Sequence, residues 1–118
     1  ARTHRGQLDH AVVFDPLRDE MFTASRGGGA QLNNSRIRVS KALTLEQSLL
    51  GTGFPYRDID DIDGYLGMLK VMLSRSQGVR RPGSAALDLA YVAAGRLDGF
   101  WEANLQPWDM AAGCLLIR

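Results

Sequence analysis

Two carboxylates and one serine lie where strands end or helices begin, the positions at which α/β proteins commonly keep their functional groups. Glu102 comes directly after the segment 97–101. Asp109 follows Pro107 and Trp108, and Ser84 follows Gly83 before an apolar stretch. Carboxylate oxygens are the ligands that Mg²⁺ prefers, and a glutamate can accept hydrogen bonds from the hydroxyls of a polyol. Free N–H groups at a helix start can bind a ligand. These residues are the candidates for chemistry.

Each candidate also has a purely structural interpretation. Asp109 can be an acid in the first turn of a helix, where the helix dipole favours a negative charge. Glu102 can be an exposed glutamate at a strand end. Ser84 can be a helix N-cap, a role that is compatible with ligand binding. Taken alone, the residues favour these interpretations, and one carboxylate does not make a magnesium site.

Alternating strands and helices are predicted to position the candidates. Strands are expected over 48–52, 78–81 and 97–101, and helices over 60–76, over 84–94 and from Pro107 onward. In the first helix Ile62, Leu66, Leu69 and Leu73 share one face, and the second helix is almost wholly apolar, so it should be buried.

The first forty residues show a different pattern. Short β-rich segments over 10–14, 20–25, 30–32 and 36–39 are separated by turn residues, which predicts an antiparallel meander. The fold class is therefore α/β, in an α+β layered form, with a meander in residues 1–42 followed by strand–helix units in residues 43–118.

Composition excludes several classes of protein. The 118 residues carry a net charge of +1, which disfavours nucleic acid and membrane surfaces as partners. The single cysteine, Cys114, allows no intrachain disulfide. No signal peptide and no apolar run of membrane-spanning length is visible, so we expect a cytoplasmic protein that has no membrane partner.

Five ordered segments of the chain resemble the inositol monophosphatase family, in particular its bacterial members. They are VVFDPLRDEMFTA at 12–24, RGGGAQLN at 26–33, LLGTGFP at 49–55, GSAALDLAYVAAGRLDGFWE at 83–102 and PWD at 107–109. The resemblance implies an αβαβα sandwich and Mg²⁺-dependent hydrolysis of a phosphate monoester of inositol or of a similar sugar or polyol. It implies a metal-binding and substrate-side role for Asp109 and a contact of Glu102 with substrate hydroxyls. It also places the substrate against the backbone of Gly83, Ser84 and Ala85.

Parts of the family pattern do not occur in this chain. The upstream acidic motif and the Asp-Pro-x-Asp-Gly-Thr signature, which supply the other metal carboxylates, are absent, because Asp15-Pro16 is followed by Leu17-Arg18-Asp19. We therefore expect an internal fragment, less than half of a usual member, that does not hold Mg²⁺ or turn over substrate by itself. Uncovered apolar faces predict that it forms a homo-oligomer.

A second function remains open on the same scaffold. The protein could be a non-catalytic regulator that binds other proteins or RNA. The upstream sequence separates the two hypotheses, since an Asp-Pro-x-Asp-Gly-Thr signature there would favour the enzyme.

Overall fold

Five short strands at the start of the chain form one antiparallel sheet. The computed structural model describes residues 1–55 and 61–118. The strands are β1 (Arg2–His4), β2 (Gln7–Asp15), β3 (Glu20–Ser25), β4 (Gly29–Leu32) and β5 (Ser35–Arg36), paired in that order. Phe22, which is fully buried, lies opposite Val13 on β2 and Leu32 on β4. The predicted meander is confirmed.

The two ends of this sheet differ from the prediction. β1 was not predicted, because its three residues are all exposed and show no apolar alternation. The predicted strand over 36–39 is wrong, since β5 ends at Arg36 and only the N–H of Ile37 continues to bond β4, at the carbonyl oxygen of Ala30. The chain then passes the end of the second helix, where a Cβ on Gly95 would lie 3.1 Å from the carbonyl oxygen of Arg38. Gly95 also has a φ of 74°, so both the lack of room for a Cβ and the backbone conformation favour glycine here.

A second sheet contains three parallel strands. β6 (Leu49–Thr52) lies between β7 (Gly78–Arg80) and β8 (Gly99–Trp101), after a short 3₁₀ helix, Leu45–Gln47. The helices are α1 (Ile62–Arg75), α2 (Ala85–Ala93) and α3 (Pro107–Ile117). These bounds confirm the predicted strand–helix units, although β8 begins two residues late. Asp98 precedes β8: its backbone N–H donates to the carbonyl oxygen of Leu49 at 2.8 Å, and its carboxylate accepts the N–H of Leu49 at 2.6 Å.

The main core lies between the first sheet and the helices α2 and α3. It contains nine buried residues, Ala11, Val13, Phe22, Ala24, Ala30, Ala90, Ala93, Leu115 and Leu116. α3 approaches α2 closely at Gly113, where a Cβ would lie 2.4 Å from the Cβ of Leu89. α2 also packs against β6 and β8. The order is therefore sheet, helices, sheet, as the αβαβα arrangement requires, and the predicted fold class is confirmed. The division at residues 42 and 43 stays a prediction.

α1 packs against the second sheet on a face that differs from the predicted one. Tyr65 is buried, and its hydroxyl lies 2.9 Å from the hydroxyl of Thr52 on β6. This contact turns Leu66 and Leu73 outward, where they are 50% and 56% exposed. The prediction for those two leucines is wrong, while Ile62 and Leu69 are partly buried. The predicted helix start at residue 60 lies outside the described residues.

Among the helices of residues 1–55 and 61–118, none combines the length and the apolar character that crossing a membrane would require.

Candidate functional site

The carboxyl ends of the three parallel strands meet at one edge of the second sheet. β6 is followed by Gly53, β7 by residues 81–84 and β8 by Glu102. In open α/β sheets this edge is where ligands bind. The start of α2 lies directly after the β7 end. The structure thus brings four predicted residues to one edge, namely Gly83, Ser84, Ala85 and Glu102.

Glu102 packs its carboxylate onto the backbone of Gly53. A Cβ on Gly53 would lie 2.1 Å from the carboxyl carbon and 2.3 Å from both oxygens, so only glycine leaves room for this arrangement. Burial raises the pKa of Glu102, the nearby negative charge of Asp109 raises it further, and the positive charge of Arg81 opposes both effects.

Asp109 occupies the third position of α3, and one of its carboxylate oxygens makes a helix-capping contact, as its structural interpretation predicts. Its Oδ2 accepts the backbone N–H of Gln106 at 2.9 Å, which is the reciprocal contact of a capping box. This hydrogen bond does not use the second carboxylate oxygen. Within the part of the chain that the structure describes, no three His, Cys, Asp or Glu side chains are grouped to hold a metal ion. The described residues therefore offer Mg²⁺ one suitable carboxylate and not a complete site.

The Gly83–Ala85 segment forms the start of α2. Gly83 has a φ of 103°, a conformation that side chains rarely adopt. Ser84 is the N-cap, since its hydroxyl accepts the N–H of Leu87 at 3.4 Å. The first N–H groups of a helix have no partner within the helix. The N-cap interpretation of Ser84 is therefore correct, and the backbone here can still meet a ligand.

Arg81 was not singled out in the sequence. Its guanidinium carbon lies 5.1 Å from the centroid of the Phe54 ring, just beyond the end of β6. Its charge opposes the raised pKa values of both Glu102 and Asp88. The available signal was its position at the end of a predicted strand, 78–81, at the same sheet edge as Glu102.

Asp88 is the second functional group that sequence reasoning missed. It lies in α2, is only 1% exposed, and its Oδ1 has no hydrogen-bond partner among the described residues. Burial raises the pKa of Asp88 to about 6, the charge of Glu102 contributes to the rise, and Arg81 opposes it. The signal was a lone carboxylate inside an otherwise apolar helix that was predicted to be buried.

A cavity of about 380 Å³ opens beside Glu102. The residues that line it include Tyr65, Trp101, Glu102 and Asn104. The volume lies within the range of sites for small molecules. The indole N–H of Trp101 is buried and has no hydrogen-bond partner within residues 1–55 and 61–118. The edge can therefore accommodate a small polar ligand next to carboxylate and aromatic groups.

Comparison with known proteins gives a consistent result over the whole chain. The sequence model of the inositol monophosphatase family matches residues 1–118. The Nus factor SuhB of Pseudomonas aeruginosa is 59% identical over 117 residues, which are 98% of this chain and 43% of that protein. The inositol-1-monophosphatase of Rhizobium meliloti is 52% identical over 118 residues, 100% of this chain and 44% of that protein.

A solved structure shows the same fold. The extragenic suppressor protein suhB from Bartonella henselae superposes with a TM-score of 0.92 at 50% identity, covering 97% of this chain and 43% of that chain. The chain thus spans less than half the length of these relatives. The match in sequence and in fold extends over both sheets, the edge that carries Glu102 and the helix that carries Asp109. The chain belongs to the inositol monophosphatase family.

Proposed function

We propose that the protein is a phosphate monoesterase that acts with Mg²⁺ on inositol monophosphate or on a similar sugar or polyol phosphate. The observation that carries the proposal is the placement of Glu102 and the start of α2 at one sheet edge, with Asp109 in the first turn of α3, in a chain of this family. A relative that is 52% identical is named an inositol-1-monophosphatase, which supports the substrate class.

In this proposal Glu102 binds the hydroxyl groups of the substrate. Its carboxylate rests on Gly53, which limits where the side chain can lie. The positive charge of Arg81 favours the ionised form of Glu102, which is the form that accepts hydrogen bonds from two hydroxyls. The adjacent cavity of about 380 Å³ provides space for a small polyol.

Asp109 is proposed to bind Mg²⁺ through its carboxylate. The chain spans 43% of its P. aeruginosa relative, and we place the further ligands in the part of the family fold that lies outside this span. Bound Mg²⁺ would stabilise negative charge on the phosphate and lower the pKa of a bound water. The capping contact with Gln106 would meanwhile keep the Asp109 carboxylate at the start of α3.

The test compares Asp109→Asn with the unchanged sequence, both in a full-length family protein that contains this chain. Phosphate release from inositol 1-phosphate is measured at millimolar Mg²⁺, and we expect a loss of at least about 100-fold because a metal ligand is removed. Asp19→Asn, in the exposed turn after β2, is the matched control and should keep full activity. If Asp109→Asn retained a near-normal rate and Mg²⁺ dependence, Asp109 would be only a helix-capping acid.

A regulatory function is the second candidate, and the names of the relatives favour it. Relatives in P. aeruginosa and in Escherichia coli, 59% and 52% identical, are named Nus factor SuhB. The chain also has an arginine-lined groove of about 380 Å³, formed by Arg18, Arg80, Arg81 and Arg96 beside Tyr91. Such a groove suits an anionic partner such as RNA or an acidic protein surface.

The arginine-lined groove can be tested separately from catalysis. Arg80→Ala should weaken binding of a fluorescent RNA and reduce its salt dependence, while Arg75→Ala at the end of α1 serves as the control. An unchanged RNA affinity in the groove variant would remove the structural support for RNA as the partner.

A further inference from the structure

A further cavity, of about 680 Å³, lies at one end of the first sheet. Its walls are the turn between β1 and β2, the turn between β3 and β4, and the end of α3. The charged side chains that line it are those of Arg26, Arg36 and Arg118, and no acidic side chain is among the described residues of its wall. The volume lies within the range of sites for small molecules. The cavity is therefore positively charged and is formed without any residue of the candidate site.

Arg26 is held in place by uncharged partners. Its Nε and one terminal nitrogen donate to the carbonyl oxygen of Leu8 at 3.0 and 2.8 Å, and the other terminal nitrogen donates to the side-chain oxygen of Gln7. A guanidinium has five N–H donors, so two remain beyond these hydrogen bonds. Arg26 forms no ion pair with a carboxylate of the described residues. Its guanidinium is thus fixed in position and keeps donors for an anion.

Arg36 reaches the same cavity from β5. Its guanidinium lies over Gly29, where a Cβ would be 2.8 Å from a terminal nitrogen, so glycine leaves the room that this side chain occupies. Within residues 1–55 and 61–118, Arg36 also has no ion-pair partner. Asp9, close to the cavity wall in sequence, pairs with Arg2 and His10 instead. Two arginine charges therefore line the cavity without a carboxylate paired to either.

The shape of the cavity favours a small anion over a nucleic acid. Gly6 and Gly27, in the two turns, have φ angles of 74° and 75°, and a Cβ on either would meet nothing within 4 Å. The turns thus leave the cavity open to a ligand from solvent. A nucleic acid would instead require a row of positive charges along its backbone, and the net charge of the chain is only +1. The planar forks of two arginines suit the oxygens of phosphate groups.

We propose that this cavity binds a small ligand that carries a diphosphate group, held by Arg26 and Arg36. The fixed Arg26 guanidinium binds one phosphate and Arg36 binds the other, while Arg118 at the end of α3 adds a third positive charge. The site uses neither Glu102 nor Asp109, so it does not rest on the proposed function.

The test measures binding of pyrophosphate by calorimetry in a full-length family protein that contains this chain. EDTA is present throughout, so that no metal ion links the probe to Asp109. We expect Arg36→Gln to raise the Kd for pyrophosphate about tenfold or more, because charge-assisted hydrogen bonds are lost. Arg38→Gln is the matched control: it removes the same charge from an exposed arginine outside the cavity wall and should leave the Kd unchanged. Asp109→Asn should also bind normally.

Two further measurements locate the ligand and identify its source. The NMR signals of the Arg26 Nε–H group and of the Gly27 amide should shift when pyrophosphate is added. ADP is the second probe: tighter binding of ADP than of pyrophosphate would identify a nucleoside diphosphate as the ligand, and weaker binding would identify the free anion. Phosphate release from inositol 1-phosphate should be unchanged in Arg36→Gln. If the unchanged protein released none, the proposed function would fail and the binding test would stand.

Three results would overturn the proposed diphosphate site. The first is no binding of pyrophosphate, as expected if another segment of the full-length protein fills the cavity. The second is an equal loss of affinity in Arg36→Gln and Arg38→Gln, which would show only a general effect of charge. The third is a fluorescent RNA that depends on Arg36 for binding while pyrophosphate does not bind, which would assign the cavity to nucleic acid.

Discussion

Replacing Asp88 with asparagine should change how the free energy of unfolding depends on pH. The aspartate has an ordinary pKa of 3.8, which its burial in α2 raises to about 6. This difference corresponds to about 3 kcal/mol. Because the folded pKa lies above the unfolded one, the stabilising contribution is complete below pH 3.8 and is lost as the pH rises through about 6. Asparagine keeps the shape of the side chain but does not titrate.

The expected result is a difference between the two proteins that grows with pH. Between pH 4.5 and pH 7, the unchanged protein should lose about 2 kcal/mol relative to Asp88→Asn. Urea unfolding at closely spaced pH values, followed by circular dichroism, measures this difference. Asp19→Asn is the control, since that residue is exposed. Parallel pH profiles for Asp88→Asn and the unchanged protein would refute the argument that burial suppresses ionisation of Asp88.

Three further predictions follow from close contacts and uncovered surfaces. Gly53→Ala should displace Glu102 and raise KM for inositol 1-phosphate about tenfold with little change in Tm, because its Cβ meets only the end of a flexible side chain. Gly113→Ala should destabilise the fold by about 1–3 kcal/mol in urea unfolding, because the added Cβ would collide with Leu89. Gly67→Ala is the contrasting variant: its Cβ would meet nothing within 4 Å, so it should stabilise the fold by up to about 1 kcal/mol. The 118-residue chain alone should associate in sedimentation velocity and release no phosphate from inositol 1-phosphate; a compact, active monomer would contradict both expectations.

The sequence predicts elements well where apolar periodicity and turn residues agree. The meander and the strand–helix units were predicted on this basis, and Glu102 and Ser84 were placed correctly at a strand end and a helix start. β1 escaped prediction because its side chains are all exposed, so no buried face imposes a pattern. The buried face of α1 was misassigned because a single hydrogen bond, between the hydroxyls of Tyr65 and Thr52, helps to set its rotation.

The candidate site was harder to predict than the fold, because only tertiary packing brings some of its residues together. Glu102 and Asp109 were found because they end or begin elements. Asp88 lies in the middle of a helix, and only the packing of α2 between two sheets makes its carboxylate unusual. Arg81 packs over the ring of Phe54, which is distant in sequence and adjacent only once β6 and β7 have paired. Such interactions depend on tertiary structure, so the local signals, a lone carboxylate in an apolar helix and an arginine at a strand end, do not reveal them.

The position of β6 also has a consequence for the order in which the chain folds. The first sheet is built from neighbouring strands joined by short turns, so its contacts form between residues that are close in sequence. In the second sheet, Leu50 of β6 must find both Val79 and Gly99, and β7 and β8 do not pair with each other. Closing such long loops is slow relative to hairpin formation. We therefore expect the meander to form early and the ligand-binding edge to be completed only when both flanking strands have docked on β6.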